Sequence, residues 1–482
     1  MRQKKNYIEA FMKFIASKRF FYVVIGLFLF QATWIGLSNN YGSPHDEKYH
    51  VGVIQVYSQQ ASPFMGGQPT AYDQFGDVSR NSSYLYHYLM SFPYRLISSI
   101  SNDITVQVLF LRLFNIIFVA MGLLFFKKVL DSIFGKPIIS NLTLYGVVMI
   151  PVVTYVASGV NYDNLVFLGF AAALYLTTRL INKFSLEMAI IWISINILTI
   201  LVKFSYSPIA FVLFVGVIAY YSINRKKRSS EIKESLRNTK KIKIILAILL
   251  LIIAGGLFAE RYIGNAIAYG TPLPDCSRVL GNERCSKWGP WARNIQVQQE
   301  NSGEKRANII IYAKNWVKTM ESTSFGIYKT SVVKEALPII GFVGWALLAT
   351  FLIFLAFGAR YIIKRPIILI ALVPVVIYSV ILFFINYKEY QKLGSPIAIQ
   401  GRYLILTLPL LIGSTLFFIH KLFANRKIIL KAFVLLWLVA FLQGGVITYI
   451  ASSDKAWWWH DNTVITVNKS TQNLLKTVII GN

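Results

Sequence analysis

Thiols, acidic side chains and internal repeats are scarce in this chain. Two cysteines in 482 residues exclude a disulfide-dense fold and a metal framework built on clustered thiolates. Only 21 residues are Asp or Glu against 49 Lys or Arg, and charged residues make up 15% of the chain. A soluble protein carries roughly 25%, so the composition argues against a large water-exposed globular surface. No internal repeat or low-complexity segment occurs, which removes the repeat signature of many alternating-access transporters. The first apolar run follows a basic segment, as in a signal peptide. It continues through Phe30-Gln31-Ala32-Thr33-Trp34 without a small-residue cleavage site and reads as a retained first helix.

Apolar sequence is what the chain has in abundance: 55% of residues are hydrophobic and the mean hydropathy is +0.53. Windows of crossing length, about 17–25 residues, lie near 20–38, 105–126, 138–157, 164–182, 187–202, 205–222, 243–260, 336–358, 366–386, 402–420 and 429–450. The fold expected is therefore all-α, a polytopic transmembrane bundle of about eleven spans.

A net charge of +28 gathered on one soluble module would point to nucleic acid. Here the cations are spread over short loops between apolar windows, and the positive-inside rule accounts for them. With the N-terminal cluster from Arg2 to Arg19 in the cytoplasm, the clusters at Lys127–Lys136, Arg179–Lys183, Arg225–Arg228, Arg360–Arg365 and Lys421–Lys427 fall inside too. Every second loop agrees. The chain reads as a multi-pass protein of the plasma membrane with a cytoplasmic N-terminus and an outer C-terminus. Residues 1–450 form the bundle, and the outer segments are about 39–104, 158–163, 203–204, 261–335, 387–401 and the tail 451–482. The two long ones, 39–104 and 261–335, supply the expected active-site face. Cys276 and Cys285 both lie in the second, where oxidation favours a disulfide; a metal or reactive-thiol site there lacks a nearby histidine.

Asp46-Glu47, within Ser43-Pro44-His45-Asp46-Glu47-Lys48-Tyr49-His50, sits just beyond the first window. Acids at a bilayer edge are costly to desolvate, which makes a functional site the default; the alternative is a solvated pair capping the helix that starts near Tyr49. Tyr49 to Tyr57 is amphipathic enough to lie in the interface, and Asp46 and His50 share a face at i,i+4. That spacing also makes the two a candidate pair of ligands for a divalent metal, although a dedicated site normally has more ligands. Ser62 to Ser83 reads as a loop. Tyr84, Tyr86 and Tyr88 read as interface anchors, as does Trp457-Trp458-Trp459-His460, and His87 reads as structural.

Lys203 and Arg402 stand against the inside bias of positive charge. The first suits neutralisation of an anionic substrate group, and the second suits either bidentate phosphate contact or snorkelling to headgroups. Asp163 is either a turn residue or part of the site. The run Lys287-Trp288-Gly289-Pro290-Trp291-Ala292-Arg293 mixes turn residues, aromatics and cations, as a lid or a stabilising cap would. A general base must reach the proton it removes, and a phosphate leaving group needs cations; the outer surface offers both.

Asp-Glu-x-x-His just outside the first span resembles the first outer loop of the GT-C membrane glycosyltransferases, the protein mannosyltransferase branch in particular. A closer resemblance is to a bacterial family of polytopic membrane proteins related to them. Its pattern is matched by Pro44-His45-Asp46-Glu47, Arg112-Leu113-Phe114-Asn115, Ser158 to Asp163, Lys203 to Tyr206 and Gln400-Gly401-Arg402-Tyr403. The resemblance implies transfer of a hexosyl or pentosyl group, with inversion, from a polyprenyl-phosphate donor to a cell-envelope glycan, lipid or protein at the outer face. It makes Asp46 the base, Glu47 an organiser of acceptor or metal, and Lys203 and Arg402 donor-phosphate contacts. His50, Asp163, Tyr206 and Gln400 become substrate-binding positions. A transporter or flippase of lipid-linked saccharides is the alternative; it would gain if Arg112 lined a path through the bundle. A purely structural subunit would have no pocket joining Asp46 to Lys203 and Arg402.

Overall fold

The computed structural model describes residues 2–43, 46–238, 240–329, 332–334, 336–358, 365–459 and 461–479. Pro44 and His45 of the acidic motif and His460 of the tryptophan run lie outside the described residues.

The chain is an all-α polytopic bundle, with one short antiparallel hairpin, Ile327–Lys329 against Val332–Lys334. Among the described residues, eight helices are long and apolar enough to cross a bilayer, or up to nine if one bent pair forms a single span. The eleven windows exceed that number for identifiable reasons. Window 138–157 falls on Pro137–Met149 and Pro151–Ala157, bent by 68°, because Pro151 has no N–H to continue the ladder and restricts Ile150 to an extended conformation. Windows 187–202 and 402–420 fall on helices of only 17 and 15 residues, Leu186–Val202 and Leu408–Leu422.

Local chemistry sets the boundaries that matter for the site. Ser17 caps the first span, Lys18–Ser38, by accepting from the Phe20 N–H. Asp103 does the same for Ile104–Phe134 through Thr105 N, and Asn161 for Tyr162–Asn182 through Asp163 N; each satisfies a donor that the helix cannot. Ile104–Phe134 and Tyr162–Asn182 pack along each other, with Phe126 and Phe167 rings 5.0 Å apart in the core.

The C-terminal segment is docked on the bundle. Trp34 Nε1 donates to Asn468 Oδ1 at 3.1 Å, and Gln472 Nε2 to the carbonyls of Ile450, Ala451 and Ser453. Trp457 and Trp458 are buried with Ile35, Tyr155 and Tyr449, so this stretch is a small core and not the interfacial belt expected from its composition. The reason is internal satisfaction of the polar tip: Trp458 Nε1 donates to Ser453 Oγ at 2.9 Å, and the backbone pairs with the end of the first span through Trp459 N to Ser38 O. Tyr84 and Tyr86 are likewise buried rather than at a lipid boundary.

Candidate active site

Asp46 and Glu47 are neighbours put to opposite uses. Glu47 turns inward and is fully buried. Arg112 grips it twice, Nε to Oε1 at 2.8 Å and Nη2 to Oε2 at 2.7 Å. The N–H groups of Gly42 and Val160 donate to the same carboxylate at 2.9 and 3.1 Å. Arg112 also donates to the carbonyls of Gly36, Asn39 and Asn40 at 2.6, 2.7 and 3.2 Å. A buried charge pair is tolerable when both ions are hydrogen-bonded this completely. This one ties the end of the first span, the Ile104–Phe134 helix and the turn before Tyr162 to the start of the Glu47–Ser58 helix. Asn115 extends the framework, its Oδ1 accepting from Tyr86 Oη, Asn164 Nδ2 and Asn161 N at 2.9, 3.0 and 3.3 Å. Glu47, which the resemblance gave as an organiser of acceptor or metal, thus does not line the cleft beside Asp46 and anchors the loop. Arg112 is engaged by that anchor and does not line the cleft either.

With Glu47 held, Asp46 occupies the N-cap position in a left-handed conformation, φ 55° and ψ 15°, and its side chain makes no cap bond. That conformation costs a non-glycine residue roughly 1–2 kcal/mol, with Asp and Asn the most tolerant. Asp46 is thus more than a helix cap: its carboxylate, 57% exposed, meets Arg402, Oδ2 to Nη2 at 2.5 Å, across 356 residues of sequence. Arg402 is only 4% exposed, and its Nε and Nη1 have no hydrogen-bond partner among the described residues. Gly401 explains how so bulky a side chain is delivered there. Thr323 Oγ1 accepts from Gly401 N at 2.7 Å, and a Cβ at 401 would lie 2.1 Å from Ser324 Oγ and 2.5 Å from its backbone N. Only glycine lets the Gly401–Leu404 turn seat on the end of the Ile309–Phe325 helix.

Lys203 stops one layer behind. Its Nζ pairs with Asp163 Oδ1 at 2.5 Å and sits 4.6 and 4.8 Å from the Tyr162 and Tyr403 ring centres. Those two rings line the cleft, whereas Lys203 and Asp163 do not. A buried ammonium is costly when bare and takes the nearest carboxylate. The pair expected to touch donor and substrate backs the tyrosine wall instead. Tyr206 is buried elsewhere, donating to Asn196 Oδ1 at 2.9 Å. Gln400 does line the cleft, its buried Oε1 without a partner among the described residues.

His50 lines the cleft as expected. His87, set aside in the sequence, is its partner: His50 Nδ1 and His87 Nε2 are 2.9 Å apart in stacked rings. Burial, then the neighbouring imidazole, holds His50 well below its ordinary 6.5, and burial pushes His87 down to about 3. Both are neutral near pH 7, and nothing in linear sequence links positions 50 and 87. As metal ligands, Asp46 and His50 gather no third: among the described residues no group of three or more His, Cys, Asp or Glu is placed to hold an ion.

The cleft has a volume of about 860 Å³. Tyr49, Phe75, Tyr162, Trp288 and Tyr403 supply aromatic surface, and Lys48, Arg293 and Arg402 outnumber the single carboxylate of Asp46. Part of its wall is built by interlocking the two long segments. Asp73 is buried beneath Arg284, whose Nη2 reaches Oδ1 at 2.7 Å; hydrogen bonding from Arg284 holds that carboxyl below its usual range. Arg261, fully buried, donates to the carbonyls of Ser79 and Asn81, both at 2.9 Å. Cys276 and Cys285 are joined, S–S 2.01 Å. The stretch from Lys287 to Arg293 contributes Trp288, Pro290 and Arg293 to the cleft, so its mixed composition marked a wall of the site.

The sequence profile described as "Predicted membrane protein (DUF2142)" matches residues 31–412, a stretch holding every motif from Asp46-Glu47 to Gln400–Tyr403. Among solved structures, the chain is similar to the Archaeoglobus fulgidus oligosaccharyltransferase tethered with an acceptor peptide containing the NVT sequon. The identity is 14% and the TM-score 0.48, over 90% of this chain and 55% of that one. It is also similar to AglB from the same organism in complex with an inhibitory peptide and a dolichol-phosphate, at 13% identity and TM-score 0.46, over 94% and 59% of the respective chains. The apo form gives 12% and 0.47, over 95% and 60%. The chain thus spans less than two thirds of the length of these structures. No curated protein matches it. By the match over residues 31–412, the chain belongs to the DUF2142 family of membrane proteins.

Proposed function

We propose that this protein is a membrane glycosyltransferase of the GT-C type, moving a sugar from a polyprenyl-phosphate donor to an acceptor hydroxyl or amide at the outer face. The observation that carries this reading is the Asp46–Arg402 pair in the cleft: an exposed carboxylate beside a buried guanidinium whose Nε and Nη1 have no partner among the described residues. Asp46 takes the proton of the acceptor as the acceptor atom bonds to the anomeric carbon. The bond from that carbon to the phosphate oxygen breaks on the opposite side, inverting the centre. Its electron pair leaves with the phosphate, where Arg402 meets the developing charge with donors already in place. Neutral His50 beside Asp46 accepts or donates a hydrogen bond without adding charge. Lys203, paired with Asp163 behind Tyr162 and Tyr403, supports the wall of the cleft instead of making a contact.

The experiment is sugar transfer in membranes expressing the full chain, read by mass spectrometry of lipid-linked and product sugars. Asp46→Asn should reach the membrane at parental levels and lose transfer. Full activity in that variant overturns the assignment of the base.

A further inference from the structure

We infer that Trp288 is a stacking platform for a saccharide ring in the cleft; this deepens the transferase reading above and rests on it. The indole is held from several sides. Trp288 N donates to Cys285 O at 2.9 Å, directly behind the Cys276–Cys285 disulfide, and Arg284 fastens the same segment to Asp73. Beneath it, Gly76 adopts φ 69°, and a Cβ there would stand 2.6 Å from Trp288 Cδ2. The ring therefore lies directly on backbone that only glycine leaves open. Phe75 is seated in the same way on Gly52, where a Cβ would fall 2.1 Å from its ring. Two rings fixed on two glycines thus line the cleft that holds Asp46 and Arg402.

A pyranose presents one face of aliphatic C–H groups to the negative face of an aromatic ring and keeps hydroxyls at its edge. The platform meets both demands. Trp288 Nε1 is a buried donor without a partner among the described residues. A side chamber of about 130 Å³ shares Phe75, Asn81 and Trp288 with the cleft and adds Asp77 and Arg80, room and polarity for a ring substituent. Trp288 stands where chamber and cleft meet.

The test is isothermal titration of the purified full chain with N,N′-diacetylchitobiose, cellobiose and trialanine. At least one disaccharide should bind saturably. Trp288→Ala should weaken that binding at least about 10-fold, Trp288→Phe should restore it to within about 3-fold of the parent, and Gly76→Ala, which displaces the indole, should weaken it like the alanine variant. Thermal unfolding of each variant confirms the fold. Binding of the tripeptide instead, of neither disaccharide, or undiminished binding in Trp288→Ala overturns the inference. Its failure is distinguishable from that of the transferase reading: Asp46→Asn should retain disaccharide binding while losing transfer. Full transfer in Asp46→Asn would remove the reaction but leave a Trp288-dependent binding site.

Discussion

Replacing either member of the acidic pair by its amide should have opposite consequences, and the contrast tests whether Glu47 anchors and Asp46 acts. Glu47→Gln keeps the shape of the side chain but leaves the Arg112 guanidinium, 1% exposed, without a counter-charge in a water-excluded setting. It also turns an acceptor of four hydrogen bonds, two from Arg112 and one each from Gly42 and Val160, into a group with donors that meet other donors. Breaking one partner of a buried pair costs about 3–5 kcal/mol. Asp46→Asn removes a carboxylate that is 57% exposed from a pair whose other member, Arg402, is buried, so it costs less than loss of the fully buried Glu47–Arg112 pair, and asparagine tolerates the left-handed conformation well. The assay is thermal unfolding in detergent followed by tryptophan fluorescence, run beside sugar transfer. Glu47→Gln should unfold several degrees early and lose transfer in proportion to folded protein lost. Asp46→Asn should unfold closer to the parent than Glu47→Gln does and be inactive. The double variant Glu47→Leu/Arg112→Leu should recover part of the stability, since removing both ions leaves no unpaired buried charge, although three carbonyls bonded by Arg112 and the N–H groups of Gly42 and Val160 lose their partners. Equal unfolding temperatures for Glu47→Gln and the parent, or unfolding of Asp46→Asn as early as that of Glu47→Gln, would refute the division of labour.

Arg402→Lys keeps the charge and loses the planar donors, so transfer should fall about 10²–10³-fold with the unfolding temperature little changed; kinetics within a factor of two of the parent would contradict direct phosphate contact. Gly401→Ala forces a Cβ to within 2.5 Å of Ser324 backbone, and the resulting shift should cost about 1–3 kcal/mol and misplace Arg402, measured as joint loss of stability and transfer; a silent substitution would show that the turn is not the support of the arginine. Stability should also depend on acid through the stacked histidines. His87 is held at about 3 in the folded chain and titrates near 6.5 when unfolded. Stability is therefore full above pH 6.5 and lost as the pH falls toward 3, by about 2 kcal/mol at pH 5 from this one imidazole, with His50 adding in the same sense. Unfolding temperatures that do not fall between pH 7 and 5, or an equal fall in His87→Phe, would rule this out.

Hydropathy and charge are local sums, which is why the sequence alone determined the membrane class, the helical windows, the assignment of both long polar segments to the site, and the candidacy of Asp46, His50, Gln400 and Arg402. Eight of the windows coincide with helical stretches long enough to cross; the others met a proline bend or ended short, because helix length answers to capping and packing as well as to apolarity. The partner of each polar side chain was beyond local sums. Glu47 and Asp46 are indistinguishable as adjacent acids until Arg112, from another helix, claims one of them. Lys203 and Arg402 are alike as cations until Asp163 pairs with the first and two Arg402 donors remain without a partner among the described residues. His87 gains meaning only against His50, and Trp288 only against Gly76. Burying a charge or a donor demands a partner in three dimensions, and which one it finds is set by helix packing that brings residues 46 and 402 into contact. The sequence determined which chemistry is present at the membrane face; the tertiary structure alone decided which groups are consumed in holding the fold and which are left open to a substrate.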